Sequence, residues 1–174
     1  MKKSFFKRFL SGFLAMLMIV LTLPMGVFAV SAETQTNSQQ SLWETEVWGD
    51  GVTVTKYNGT ATDILVPATL TVNGVEKKVL KLGNELFDDN DAINSVTLAE
   101  GITEIGEKTF YDADALVCIV TNQTLTTIGD EAFAGCDNFN SVILPDSVVS
   151  IGTDAFANCP KLTVWCILTG YPSI

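Results

Sequence analysis

SVILPDSVVSIGTDAFANCPKLT, residues 141–163, is one unit of a repeat, and residues 125–142, LTTIGDEAFAGCDNFNSV, contain the same pattern one period earlier. The period is 23 residues long, and two of its columns hold the same residue type four times. These columns are Gly83, Gly106, Gly129, Gly152 and Phe87, Phe110, Phe133, Phe156. Recurrence at one fixed period predicts an array of similar, stacked structural units.

Apolar side chains fill further columns of the same period. Four columns are apolar in every repeat: Leu82, Ile105, Ile128, Ile151; Ile93, Leu116, Phe139, Leu162; Val96, Ile119, Val142, Trp165; and Val79, Ile102, Leu125, Val148. Two other columns are apolar in three repeats but contain a threonine in the fourth. These residues are Thr109 and Thr121, which belong to the same repeat. The repeat around Phe110 is therefore predicted to be the weakest unit, because it has the fewest apolar side chains to bury.

Each repeat divides into a predicted strand and a predicted short helix. Val142 and Leu144 flank Ile143 in an alternation that is typical of a strand with one buried face. After each glycine, most repeats have a residue suited to a helix N-cap, followed by one position that is acidic three times out of four. The cap positions are Asn84, Glu107, Asp130 and Thr153, and the first-turn positions are Glu85, Lys108, Glu131 and Asp154.

Such units cannot bury their apolar faces alone, so the repeats must stack. A period of 23 lies within the range of leucine-rich repeats. The predicted fold class is a right-handed α/β leucine-rich repeat solenoid. A parallel β-sheet forms one face, short helices form the other, and a β-hairpin caps the N-terminal end.

The repeats at 125–142 and 141–163 resemble those of bacterial BspA-like surface proteins, with their LP…IG..AF..C..L pattern. The segment DGVTVTKYNGTATDILVPATL, residues 50–70, is similar to the β-hairpin that precedes those repeats. The resemblance covers about residues 43–167. It implies a secreted or surface-exposed protein that binds other macromolecules, often host or matrix proteins, without catalytic residues.

The N-terminal residues predict export. Four basic residues precede an apolar run that ends at Val30-Ser31-Ala32, which is the pattern of a signal peptide cleaved after Ala32. An uncleaved membrane anchor is the alternative, because about 20 apolar residues can span a bilayer. The predicted organisation is a signal peptide at 1–32, a polar linker at 33–42, a β cap at 43–78 and about four repeats at 79–174.

The predicted cap contains two turn signals. Gly49-Asp50-Gly51 joins β-prone runs at 43–48 and 52–57, and Asn73-Gly74 joins a second predicted pair formed by 64–66 and 70–80. Three aromatic residues, Trp43, Trp48 and Tyr57, lie on the first predicted hairpin. They either close the core of the first repeat or form a platform for carbohydrate.

Charge and composition exclude several classes of function. The 20 acidic residues all follow residue 32, whereas four of the ten basic residues precede it, so residues 33–174 carry six basic and 20 acidic side chains, a net charge of −14. Nucleic acid is therefore not expected as a partner. The chain has no histidine, which removes the commonest general base, and we expect neither an enzyme nor a cofactor.

Cysteines and aspartates raise two further questions. Cys136 and Cys159 are one period apart, so they are predicted to be either stacked buried thiols or a disulfide. Asp91, Asp114 and Asp137 occupy one column, which makes them a weak candidate calcium site. The alternative is that each aspartate caps its own turn in solvent.

The alternate strand positions predict a binding face. Thr97, Val120, Ser141 and Ile143 point out of the sheet and none is charged, so they are the candidate binding residues for a protein partner. The alternative is that small residues only suit a curved inner face. The last repeat could also mediate self-association, and the chain could be a piece of a larger repeat protein with no ligand of its own.

Overall fold

The computed structural model describes residues 41–166, with side chains up to Thr163. The expected signal peptide at 1–32, most of the expected linker at 33–42 and the tail at 167–174 lie outside the described residues. The strands are β1 Trp43–Trp48, β2 Gly51–Tyr57, β3 Asp63–Val66, β4 Thr69–Val72, β5 Val75–Leu82, β6 Ser95–Leu98, β7 Glu104–Ile105, β8 Cys118–Val120, β9 Thr127–Ile128, β10 Ser141–Leu144, β11 Ser150–Ile151 and β12 Thr163–Cys166.

The longer repeat strands form one parallel sheet, which we call the repeat sheet. Its order is β12-β10-β8-β6-β3, and every neighbouring pair is parallel. Val96 pairs with Ile119, and Ile119 pairs with Val142, so residues 23 positions apart lie side by side. The predicted parallel sheet with a 23-residue register is confirmed.

A second sheet, the side sheet, runs in the order β1-β2-β5-β7-β9-β11, with β4 paired to β5. Within it, β7, β9 and β11 are only two residues long and pair in parallel. Each ends on an aliphatic residue directly before the repeat glycine, where the backbone turns away from the sheet. The alternation of apolar and polar residues indicated β6, β8 and β10. It did not indicate β7, β9 and β11, because two residues are too few to show a period.

The N-terminal cap has the two expected hairpins, with one change. β1 and β2 are antiparallel around Gly49, and β4 and β5 are antiparallel around Asn73-Gly74, where positive φ values of 53° and 77° match a type I′ turn. The prediction that residues 64–66 pair within this second hairpin is wrong. β3 instead pairs in parallel with β6 and forms the first strand of the repeat sheet.

The short helices predicted after each glycine are absent from the part of the chain that the structure describes, and turns replace them. The residues assigned to a first helical turn, Glu85, Lys108, Glu131 and Asp154, all have positive φ, between 51° and 57°. Four residues later the left-handed conformation recurs, at Asp89, Asp112, Gly135 and Asn158. Two left-handed residues in five cannot continue a right-handed helix.

Backbone hydrogen bonds explain this geometry. The N–H of Glu85 bonds to the carbonyl of Glu107 at 3.0 Å, and the N–H of Phe87 bonds to the carbonyl of Thr109 at 2.7 Å, so the turns bond to the next repeat. An α-helix that began at Glu85 would bond the N–H of Asp89 to the carbonyl of Glu85, but this N–H bonds instead to the carbonyl of Tyr111 in the next repeat, at 2.8 Å. The expected N-caps act likewise between repeats, since the Oδ1 of Asp130 accepts from the N–H of Thr153 at 2.7 Å.

A column of aromatic rings runs through the core. Phe87, Phe110, Phe133 and Phe156 stack in sequence with centroids 5.0–5.2 Å apart. At the N-terminal end, Trp43 contacts Phe87 edge-on at 6.5 Å. Each buried phenylalanine stabilises the fold by about 1.5–3 kcal/mol, so this column joins the repeats into one core.

The cap aromatics do not all join that core. Trp43 is buried and its ring lies 4.6 Å from that of Tyr57, which confirms that these two close the first repeat. Trp48 is 45% exposed, so the prediction that it belongs to the core is wrong. It lies five residues after Trp43 on β1, and odd spacing along a strand places it on the opposite face.

Candidate binding face

The outer face of the repeat sheet carries an apolar strip, formed by Leu65, Thr97, Val120 and Ile143. The strand registers pair Leu65 with Thr97 and Thr97 with Val120, and the pairing of Val142 with Ile119 brings Ile143 beside Val120. Neighbouring strands are about 4.8 Å apart, so the strip crosses four strands over roughly 15 Å. Leu65 is 54% exposed, Val120 47% and Ile143 52%.

A polar row lies next to the apolar strip. It consists of Asp63, Ser95, Cys118, Ser141 and Thr163, one from each strand. Among the predicted binding residues, Thr97, Val120 and Ile143 therefore share one line, whereas Ser141 lies in the neighbouring row. All four lie on the outer face, because positions two apart on a strand point the same way.

Asp63 is held in place at the end of the polar row. Its Oδ1 accepts hydrogen bonds from the Ser95 hydroxyl at 2.5 Å and from the Asn94 amide at 3.2 Å. These two bonds lower the pKa of Asp63. Burial and the charge of Asp63 raise the pKa of the Cys118 thiol, which lies two strands from Asp63 in the polar row.

The candidate calcium residues lie on the turns rather than on the sheet. Asp91, Asp114 and Asp137 are exposed, and an Asp114 carboxylate oxygen accepts from the backbone N–H of Asp137 at 3.4 Å. Within residues 41–163, no three acidic, cysteine or histidine side chains are grouped so that they could hold a metal ion. This bond joins adjacent repeats, so it is not the contact expected if each aspartate caps its own turn.

Cys118, Cys136 and Cys159 are free thiols. The Sγ of Cys136 donates to the carbonyl of Phe110, and the Sγ of Cys159 donates to the carbonyl of Phe133, both at 2.9 Å. Contact with Cys159 and burial raise the pKa of Cys136, so this thiol stays protonated. The alternative of a disulfide between Cys136 and Cys159 is not what the structure shows.

The sequence pattern did not reveal Leu65. Its register partner Thr97 is 32 positions away, nine more than the 23-residue period, because the β4–β5 hairpin is inserted between them. A search at fixed period therefore passes over β3. The local signal was present, since Ile64-Leu65-Val66-Pro67 matches the pattern of Val142-Ile143-Leu144-Pro145.

The family model of the BspA type leucine rich repeat region matches residues 69–171, with six copies. The chain belongs to this family. No curated protein matches the chain in sequence. The described residues contain no helix with the length and apolar character needed to cross a membrane.

Solved structures of bacterial proteins share the fold. The chain is 27% identical to a leucine-rich repeat protein from Bacteroides capillosus, with a TM-score of 0.66, and the match covers 72% of this chain and 94% of that one. It is 23% identical to a leucine rich cell surface protein from Faecalibacterium prausnitzii, with a TM-score of 0.57, covering 72% of this chain and 41% of that one. It is 23% identical to the T. pallidum leucine rich repeat protein, with a TM-score of 0.55, and this match covers 71% of this chain and 68% of that one.

Proposed function

We propose that this BspA-type chain is a secreted or cell-surface, non-catalytic binding module that holds a protein partner on the apolar strip. The observation that carries the proposal is the alignment of Leu65, Val120 and Ile143, each about half exposed, on three of four paired strands. A line of exposed aliphatic side chains, interrupted here by Thr97, is unfavourable in water unless something covers it.

The charge distribution favours one type of partner. The apolar strip contains no charged residue, although residues 33–174 carry a net charge of −14. Asp63 lies at one end of the adjacent polar row, and residues 33–174 as a whole are acidic. The expected partner is a protein with an apolar ridge flanked by basic residues, since such a ridge would meet apolar side chains at the centre and acids at the rim.

Export forms part of the proposal. Cleavage after Ala32 would release a chain that begins at Glu33, and the polar residues that follow would separate the cap from the membrane during export. The Faecalibacterium prausnitzii relative is described as a cell surface protein, which supports the same location. Mass spectrometry of the mature protein tests this part, and recovery of an intact Met1 form from membranes would contradict it.

The binding part is tested with charge substitutions on the strip. A partner is first captured from extracellular proteins, purified, and titrated against the wild type and against Val120→Glu and Ile143→Glu. We expect each variant to weaken binding by at least about tenfold, because a carboxylate would be buried without a partner. Unchanged affinity in both variants would place the site elsewhere.

Val75→Glu is the matched control. Val75 is exposed to a similar degree and begins a strand, but it lies on the β4–β5 hairpin, away from the strip. We expect Val75→Glu to bind like the wild type. Circular dichroism of all three variants separates loss of the interface from loss of the fold, and assays on polysaccharides and peptides should show no turnover.

A further inference from the structure

A recessed region lies on the outer face of the side sheet, close to the first hairpin. It is an open cleft of about 350 Å³. Its lining residues are Glu46, Trp48, Thr53, Thr55, Lys81, Gly83 and Asn84. A volume of this size is at the lower end of what ligand sites in proteins have, which suits one or two sugar units.

Trp48 provides the apolar wall of the cleft. Trp43 and Tyr57 are used by the core, whereas Trp48 is exposed and contributes its indole to the cleft. The Nζ of Lys81 lies 5.9 Å from the centroid of the Trp48 ring. A flat aromatic surface and a hydrogen-bond donor therefore share the same small space.

The polar groups of the cleft lie in one row across three strands. Glu46 pairs with Thr53, and Thr53 pairs with Lys81. The Lys81 ammonium is 2.5 Å from the Glu104 carboxylate on β7, and both side chains are part-buried. This ion pair fixes the lysine, so it presents its remaining donors in a defined position.

Asn84 closes the other end of the cleft. Its Oδ1 accepts from the backbone N–H of Glu107 at 3.2 Å, which fixes the orientation of the amide and leaves its NH₂ group as a donor. The cleft thus combines a carboxylate, two threonine hydroxyls, an amide and an ammonium around one indole. This mixture of donors and acceptors matches the hydroxyl groups of a sugar.

We propose that this cleft binds a neutral hexopyranose unit of a polysaccharide, with the C–H face of the sugar ring packed on Trp48 and the hydroxyls bonded to Glu46, Lys81 and the threonines. The charges select against acidic sugars, because Glu104 neutralises Lys81, the carboxylate of Glu46 lines the cleft, and the chain as a whole is acidic. The site is separate from the apolar strip and lies on the other sheet.

The experiment titrates the mature chain, residues 33–174, with cellotetraose and with tetragalacturonate, followed by NMR chemical shifts and calorimetry. We expect cellotetraose to bind with a Kd on the order of 1 mM and the anionic oligosaccharide to bind more weakly. Absence of binding by cellotetraose, or tighter binding of tetragalacturonate, would overturn the proposal.

Three variants locate the site. Trp48→Ala should weaken cellotetraose binding by at least about fivefold, whereas Trp48→Phe should retain most of it because an aromatic face remains. Tyr111→Ala is the control, since Tyr111 also lies next to a lysine, Lys108, whose Nζ is 5.3 Å from the ring, but on the turns instead of the cleft. Equal affinity of Trp48→Ala and wild type would overturn the proposal even if the sugar binds.

Discussion

The thiol of Cys136 donates a hydrogen bond to the carbonyl oxygen of Phe110, 2.9 Å away and 26 positions earlier in the chain. Cys159 makes the same contact with Phe133 one repeat later. The cysteine column therefore joins each turn to the aromatic column of the preceding repeat. This gives the cysteine a structural role without a disulfide, because a small apolar side chain with one donor fits the position.

Substitution of Cys136 tests the thiol contact. Cys136→Ala should lower the free energy of unfolding by about 1–2 kcal/mol, because it removes a hydrogen bond and leaves a small cavity. Cys118→Ala on the half-exposed polar row is the control and should change it by less than about 0.5 kcal/mol. Urea denaturation measures both. Equal losses would mean that the contact with Phe110 contributes little.

The aromatic column makes a second prediction. Phe133 is fully buried and stacks on Phe110, Phe139 and Phe156 at 5.0–5.2 Å, so Phe133→Ala should cost about 3–5 kcal/mol. Ile143→Ser, on the exposed strip, should cost less than about 1 kcal/mol. Denaturant unfolding of both variants checks the assignment of buried and exposed strand faces. A larger loss for Ile143→Ser would reverse that assignment.

The period alone predicted the parts of the fold that repeat. Val96, Ile119 and Val142 were placed in one column, and they lie side by side in the repeat sheet because stacking repeats brings equal positions together. The same reasoning placed Val120 and Ile143 on its outer face. The period did not predict the exposed position of Leu65, because the inserted hairpin interrupts it. Nor did it predict that of Trp48, because the cap does not repeat.

The turns show a different limit. Glu85 and Glu131 follow a capping residue and precede apolar residues, which is the sequence pattern of a short helix. Their left-handed backbone follows from hydrogen bonds to the adjacent repeat, and these depend on the stack as a whole. Local sequence does not contain that information. Contacts between repeats also explain Thr109, the polar residue in an otherwise apolar column. Its hydroxyl donates to the carbonyl oxygens of Gly83 and Gly106.

A buried amide also joins consecutive repeats. The Nδ2 of Asn122 donates to the carbonyls of Ala99 at 2.6 Å and Ile102 at 3.0 Å. Asn122→Ala should therefore cost about 1–3 kcal/mol, since both carbonyls lose a donor in a buried position. The exposed neighbour variant Gln123→Ala should leave the unfolding midpoint within experimental error. A neutral effect of Asn122→Ala would indicate that water replaces the amide.

The C-terminal ends of both sheets predict self-association. Within residues 41–166, β11 and β12 are the last strands of their sheets, and exposed Val149 and Ile151 lie at the β11 end. Unpaired strand edges with apolar neighbours favour pairing with another copy. Light scattering of residues 33–174 should show a mass that rises with concentration, and Val149→Lys with Ile151→Lys should suppress the rise. A monomer at high concentration would contradict this prediction.

The cluster of turn aspartates predicts a variant that gains stability. Burial, followed by the charges of Asp114, Asp88, Asp89 and Asp137, raises the pKa of Asp112 above its ordinary value of 3.8. Because the folded state holds this proton more tightly than the unfolded chain, the ionised carboxylate destabilises the fold. The loss begins as the pH rises past the unfolded pKa and is complete above the raised folded pKa.

Asp112→Asn removes that charge and keeps the side-chain shape. It also suits the backbone, because Asp112 has a φ of 48° and asparagine adopts the left-handed conformation readily. We expect a gain of about a few tenths of a kcal/mol at neutral pH and low salt, which shrinks with added salt and disappears as the pH falls below about 4. Asp154→Asn, at a φ of 53° and away from those four carboxylates, separates the backbone effect from the charge effect. Equal gains at the two positions, unaffected by salt and pH, would attribute the stabilisation to the backbone and contradict the role of the cluster.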